Sequence, residues 1–277
     1  MSFTPRGLIV DMDGVLYRGN RPLPGLREFF AALGCRPFLL VTNNSLVSAQ
    51  DCSRKLAAMG VAVPPSAILT VSDATGRYLA AEYPAGSRCQ VLGSTALRAA
   101  VAAAGMVLVS AAADVVVTGL DTGLSYPALA EAVRALAAGA GFVATSSDPV
   151  LLTEDGIAPG AGAVVAALRA CVPAVPVCVG KPHPAMFDQA ASQLGLPASD
   201  VLVVGDSLAS DIAGGRAVGA RTALVLTGVS GPAGAPAPAD ASSSAGPHQP
   251  HLPDLVVNGL PELSAFLHRA WQREEIR

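Results

Sequence analysis

A chain of 277 residues with 51% hydrophobic and 14% charged residues can form about two globular domains and bury a sizeable core. Its 18 Lys and Arg against 21 Asp and Glu leave a formal charge of −3. That balance carries no basic footprint for nucleic acid, although a small anionic substrate needs only a local positive site.

Five cysteines, Cys35, Cys52, Cys89, Cys171 and Cys178, are odd in number and form no CxxC pair. This pattern favours a reducing cytoplasm over a disulfide framework, with the thiols read as small buried hydrophobes. The stretch Met1 to Leu16 lacks the long apolar run of a signal peptide, and the alanine-rich window Ala99 to Ala113 is shorter than the roughly 20 residues of a membrane span. The expectation is a soluble protein with no membrane partner.

In chain order, the first signal is Leu8-Ile9-Val10-Asp11-Met12-Asp13-Gly14. A β-branched and aliphatic run reads as a buried parallel strand, and it delivers two carboxylates before a glycine turn. In an open α/β sheet, ligands gather at the carboxyl ends of strands. Close carboxylates there repel unless a cation offsets them, and Mg²⁺ with its oxygen preference is the natural candidate.

A helix is expected over Gly25 to Leu33, then a strand from Arg36 to Val41 ending in the polar Thr42-Asn43-Asn44-Ser45, then helices over Ser48 to Met59 and Ser72 to Glu82. A second βα series follows: Val91-Leu92, Thr95 to Ala104, Val115 to Val117, Pro127 to Ala138, Phe142 to Ala144 and Gly162 to Cys171. This series can bury a core of its own, so 79–177 is expected as an inserted α/β domain, with 1–78 and 178–277 forming a discontinuous core. The core resumes with the helix Pro184 to Leu194, the strand Val201 to Val204, the helix Ile212 to Val218 and the strand Thr222 to Leu226. The Pro/Ala/Gly/Ser run from Gly228 to Pro253 is expected as a mobile loop and an unpromising place for a site. Leu255 to Val257 and Pro261 to Arg273 close the chain as strand and helix.

Four polar clusters fall at strand ends or glycine turns: Asp11 with Asp13, Thr42 with Asn43 and Asn44, Gly180-Lys181-Pro182, and Gly205-Asp206-Ser207 with Asp211. Gathered at one sheet edge they supply carboxylates for a divalent metal, a hydroxyl and amides for phosphate oxygens, and one ammonium, the inventory of phosphoryl transfer. No Walker A or complete GxGxxG is present.

These clusters resemble the four ordered motifs of the haloacid dehalogenase superfamily: Asp11 to Leu16, Val41 to Ser45, Gly180 to Pro184 and Gly205 to Asp211. More narrowly, the chain is similar to the NagD and para-nitrophenyl phosphatase branch, in which a large α/β cap is inserted between the second and third motifs. Thr118-Gly119-Leu120-Asp121 and Pro159-Gly160-Ala161-Gly162-Ala163 resemble that branch's cap. The resemblance implies a doubly wound, Rossmann-like parallel-sheet core with an inserted α/β cap, and a Mg²⁺-dependent hydrolase of small phosphorylated metabolites.

By the same resemblance Asp11 is the nucleophile and Asp13 the acid and base. The metal is held by Asp11, the backbone carbonyl of Asp13 and Asp206, with Asp211 a ligand through water or a brace. Ser210 stands where the family often has threonine, and the Ser210-Asp211 pair also reads as a helix start. Thr42, with backbone amides at Asn43 and Asn44, takes phosphate oxygens, Ser45 being the better helix cap; Lys181 neutralises nucleophile and phosphate together. His183 reads as structural or substrate-side. Asp121, Ser146 and Asp148 are candidates for the leaving-group side, with Ser146 standing where the branch often has asparagine. The resemblance also implies a homodimer formed through the cap, as is often found among related proteins. Two rivals share parts of this inventory: a phosphotransferase or mutase, and a phospho-accepting signalling domain.

Overall fold

The structure, a computed structural model, describes residues 3–153, 156–230 and 252–275. Most of the Gly228–Pro253 stretch, from 231 to 251, lies outside the described residues. The chain divides into two compact units, Met1–Val41 with Ser53–Ile68 and Phe187–Arg277, and Thr42–Cys52 with Leu69–Met186.

In chain order the elements are β1 (Gly7–Asp11), β2 (Tyr17–Arg18), β3 (Arg21–Pro22), α1 (Leu26–Leu33), β4 (Phe38–Thr42), α2 (Ala49–Ala58), β5 (Ile68–Thr70) and α3 (Val71–Glu82). There follow β6 (Arg88–Leu92), α4 (Thr95–Ala103), β7 (Val107–Leu108), β8 (Val115–Thr118), α5 (Tyr126–Ala137), β9 (Gly141–Ala144), β10 (Val150–Thr153), β11 (Gly156–Pro159) and α6 (Ala161–Arg169). The chain closes with β12 (Val177–Cys178), α7 (Pro184–Leu194), β13 (Val201–Gly205), α8 (Ala213–Ala217), β14 (Arg221–Val225), β15 (Leu255–Val257) and α9 (Leu260–Glu275).

The larger sheet has the order β15-β14-β13-β1-β4-β5. From β15 through β14, β13 and β1 to β4 the strands run parallel, with Val10 opposite Val204 and Asp11 opposite Val41. Every residue of β1 and β13 is buried, as expected for strands covered on both faces. The strand order reverses between β1 and β13, and there the doubly wound architecture opens a crevice at the carboxyl ends.

The second unit has its own parallel sheet, ordered β12-β9-β8-β6-β7, whose order reverses between β6 and β8. Its core is built from Leu92, Val116, Ala132, Phe142, Val165 and Leu168. Removing such residues from water is worth about 1.5–3 kcal/mol each for the larger side chains.

The long elements fall where periodicity predicts them. The strands β2, β3, β5, β7, β10, β11 and β12 do not announce themselves, because two to four residues carry too little periodicity to stand out. The helix expected over Ile212–Val218 begins instead as a π-helical turn over Leu208–Ile212 that runs into α8. Ser48, not Ser45, caps α2: its Oγ accepts from the Asp51 N–H at 3.2 Å, and the Asp51 carboxylate accepts from the Ser48 N–H at 3.0 Å. Cys52, Cys89 and Cys178 are buried, whereas Cys35 and Cys171, which follow helix ends, are exposed rather than core residues; all five are free thiols. Among the described residues, no helix is long and apolar enough to cross a membrane.

Candidate active site

At the β1/β13 switch point, Asp11 ends β1 and Asp206 follows the last residue of β13. With Asp211 they form a buried group whose carboxylate oxygens lie within 4.8 Å of one another. Their exposures are 6%, 5% and 1%. Three carboxylates that close together, drawn out of water, repel strongly unless something positive joins them. An all-oxygen donor set with no His or Cys suits a hard divalent cation.

Glycine makes this approach possible. A Cβ on Gly205 would sit 2.1 Å from the Cβ of Asp211, so any larger residue at the end of β13 displaces that carboxylate. Gly14 turns the chain with φ +79°, its N–H donating to Tyr17 O at 2.8 Å while Met12 O accepts from the Leu16 N–H at 2.9 Å. Asp13 is exposed, and the buried acid group is formed by Asp11, Asp206 and Asp211. The DxD pair therefore splits: one carboxylate goes inward and the other to the surface.

Asp211 is held by its own loop, its Oδ2 accepting from the Ser207 N–H at 3.1 Å and from Ser210 Oγ at 3.4 Å. Ser207, rather than Ser210, caps this turn, with its Oγ accepting from the Ser210 N–H at 3.2 Å.

In the second unit, Thr42 and Lys181 are both buried, at 3% and 4% exposure. Thr42 Oγ1 accepts from the Asn44 N–H at 3.1 Å, which leaves the hydroxyl proton to be donated elsewhere. Asn43 spends its side chain on Lys181: its amide NH₂ donates to Lys181 O, and its Oδ1 accepts from the Lys181 N–H, each at 2.9 Å. The Asn44 side chain closes a local turn on the Leu46 N–H at 2.9 Å. His183 donates its backbone N–H to Gly180 O at 3.0 Å.

Ser45 does something its sequence context did not suggest. Completely buried, it accepts the Leu120 N–H on Oγ at 3.0 Å and the Ser94 hydroxyl on its carbonyl, filling the β6/β8 switch point of the second sheet.

Asp121 and Asp148 are each engaged in short local turns, with Asp121 Oδ1 accepting from the Gly123 N–H and Asp148 Oδ2 from Ser146 Oγ, at 2.9 and 2.8 Å. Gly160 and Gly162 lie so close to the 147–148 backbone that a Cβ would sit 2.3 Å from Asp148 O and 2.2 Å from Ser147 O, which accounts for the Gly-Ala-Gly sequence.

Sequence reasoning missed one part of the site. Gly228, Val229 and Ser230, expected to begin a mobile loop, are seated on Asp206: the Val229 N–H donates to Asp206 Oδ2 at 2.7 Å and the Ser230 N–H to Asp206 O at 3.0 Å. The available signal was a fifth polar cluster, Thr227-Gly228-Val229-Ser230, directly after the apolar run of β14.

The family model of haloacid dehalogenase-like hydrolases matches residues 5–219. The 5'-nucleotidase YutF of Bacillus subtilis is 34% identical over 228 residues, 82% of this chain and 89% of that protein. Among solved structures, the p-nitrophenyl phosphatase from Archaeoglobus fulgidus superposes with a TM-score of 0.85 at 32% identity, covering 95% of this chain and 100% of the other. Glycerol phosphate phosphatase Rv1692 from Mycobacterium tuberculosis, solved in complex with magnesium, gives 0.82 at 32% identity over 94% of this chain and 77% of its own.

Proposed function

Because the chain belongs to the haloacid dehalogenase-like hydrolases, among their phosphatases similar to NagD and p-nitrophenyl phosphatase, we propose that it hydrolyses small phosphomonoesters through an aspartyl-phosphate with Mg²⁺ as cofactor. The observation that carries this reading is the buried group of Asp11, Asp206 and Asp211 at the switch point. Its oxygen-only chemistry fits magnesium, and a relative carries that ion in its solved structure. Asp11 and Asp206 would hold the ion with the backbone carbonyl of Asp13. Asp211, already accepting from Ser207 and Ser210, would brace the loop and reach the ion through water. Bound magnesium supplies positive charge that lets an anionic nucleophile approach an anionic phosphate.

The Asp11 carboxylate attacks phosphorus as the bond to the leaving oxygen breaks, and Asp13 gives that oxygen a proton. Asp13 then takes a proton from water as it attacks the aspartyl-phosphate, releasing inorganic phosphate and regenerating Asp11. The exposed position of Asp13 supports a proton-transfer role over a share in the buried acid group. Thr42, with its hydroxyl proton unspent, and the Lys181 ammonium would take the phosphate oxygens, with backbone amides at Asn43 and Asn44 beside them. The 79–177 insertion would serve as the cap that excludes water and reads the leaving group through Asp121, Ser146 and Asp148. Free cysteines suit a reducing compartment such as the cytoplasm. The resemblance adds a homodimer through the cap, which light scattering reads directly.

Purified protein with Mg²⁺ should release nitrophenol and phosphate from p-nitrophenyl phosphate in equal amounts, with water as acceptor. Transfer to an added alcohol would mark a phosphotransferase, and a long-lived phosphoprotein a signalling domain. Asp11→Asn should abolish release; unchanged turnover in that variant would refute the reading. Ranking kcat/KM across glycerol, glycolate, sugar, pyridoxal and nucleotide phosphates identifies the substrate class.

A further inference from the structure

We propose that the turn Thr227–Ser230 is a positioning device for the acid group, with Thr227 as its key residue; the proposal rests on the metal-dependent reading above. Four contacts tie this turn to both acid-bearing loops. On the β13 side, Asp206 Oδ2 accepts from the Val229 N–H at 2.7 Å, Asp206 O accepts from the Ser230 N–H at 3.0 Å, and Ser230 Oγ accepts from the Leu208 N–H at 3.0 Å. On the β1 side, the Thr227 hydroxyl donates to Gly14 O at 2.6 Å. Gly14 directly follows the Asp11-Met12-Asp13 stretch, so one side chain links the nucleophile's loop to the turn that holds the other carboxylate.

The packing leaves no slack. A Cβ on Gly228 would lie 1.7 Å from Asp206 Oδ2, and one on Gly14 would lie 2.2 Å from the same oxygen and 3.2 Å from Gly228 Cα. Backbone from two loops thus closes on one oxygen of Asp206, and the Val229 N–H fixes it. A carboxylate with one oxygen held in this way cannot rotate to exchange its oxygens. Its charge-assisted bond to a backbone N–H is also stronger than a neutral one. Arg18, on β2, donates its guanidinium to Thr227 O and ties the β2/β3 hairpin to the same turn. Groups that orient metal-binding carboxylates typically change metal affinity or activity by roughly 10–100-fold when removed.

The test measures Mg²⁺ binding by calorimetry without substrate, beside kcat and KM for p-nitrophenyl phosphate. Thr227→Val keeps the shape and removes the hydroxyl; it should weaken Mg²⁺ binding by about tenfold or more. The same variant should recover most of its kcat at saturating Mg²⁺, and Thr227→Ser should restore the affinity. Arg18→Gln, at an exposed side chain that leaves the core untouched, should weaken Mg²⁺ binding by a few-fold. Unchanged Mg²⁺ affinity in Thr227→Val, or no rescue by Thr227→Ser, overturns the positioning role while leaving the phosphatase reading intact. If Thr227→Val does not fold, unchanged affinity in Arg18→Gln overturns it. A wild-type chain that takes up no Mg²⁺ brings down both.

Discussion

Asn43 and Lys181, 138 positions apart, exchange two hydrogen bonds of 2.9 Å, so the side chain of one clamps the peptide of the other. The arrangement gives the lysine a fixed backbone without using its ammonium. Gly180 permits it, since a Cβ there would sit 2.7 Å from Asn43 Oδ1 and 2.3 Å from Thr145 O. Asn43→Leu loses both bonds and strands the Lys181 N–H and C=O, a cost of about 1–3 kcal/mol for each group that stays buried. In turnover assays this variant should lower kcat at least tenfold with a smaller change in KM, since the lysine's charge survives but its aim does not. Asn43→Asp keeps the acceptor and loses the donor, and should fall between.

Lys181→Ala removes the ammonium itself. If charge neutralisation at phosphorus is central, kcat/KM should fall by roughly two to three orders of magnitude, the scale of losing a preorganised electrostatic group. Thermal melts with and without Mg²⁺ separate this loss from one of folding.

Asp11, Asp206 and Asp211 bring three like charges within 4.8 Å of one another, which disfavours ionising all three. Asp11→Asn should therefore raise the melting temperature in EDTA by a few degrees, corresponding to about 1 kcal/mol. Added Mg²⁺ should stabilise the wild type by ligand linkage and stabilise this variant far less. Scanning calorimetry of both proteins in EDTA and in Mg²⁺ reads the two effects, and a variant less stable than wild type in EDTA would contradict the repulsion argument.

At the end of β13, Gly205→Ala places a methyl 2.1 Å from Asp211 Cβ. Overpacking of this kind costs about 1–3 kcal/mol, and the relieving motion pushes Asp211 out of the acid group. Denaturant melts should register the first effect and Mg²⁺ titration the second.

Asp254 supplies a pH signature away from the site. Burial raises its carboxyl pKa, but the Arg221 guanidinium and hydrogen bonds from the Thr222 N–H and hydroxyl outweigh that, holding it below the ordinary value. A depressed carboxyl stabilises the fold above its unfolded pKa of about 4, and that stabilisation is lost as pH falls through the lower folded value. Arg221 is more than half exposed, so solvent weakens its contribution to stability, and the Thr222 bonds add to it. Asp254→Asn should cost about 1–2 kcal/mol in urea melts at pH 7, with the gap narrowing below about pH 4.

Much of this molecule was legible in the amino-acid order. The alternating apolar runs and helical segments specified two parallel α/β sheets, because strands covered on both faces must be continuously hydrophobic and each carries its polar residues where it ends. Asp11, Thr42 and Asp206, with Asp211 in the same cluster, were marked by that rule and Lys181 by its glycine turn, while their expected roles came from the resemblance.

Local order could not decide how the polar groups would be shared out. It could not say that Asp13 would face water while Asp11 turned inward, that Asn43 would spend its amide on the Lys181 peptide, or that Ser45 would fill the second sheet's crevice. Nor could it reveal that Val229, at the start of a stretch that reads as loose linker, would bind Asp206. Hydrogen-bond partners far apart in the chain are selected only when strands pair and loops close, since direction and distance, not residue type, determine which donor reaches which oxygen.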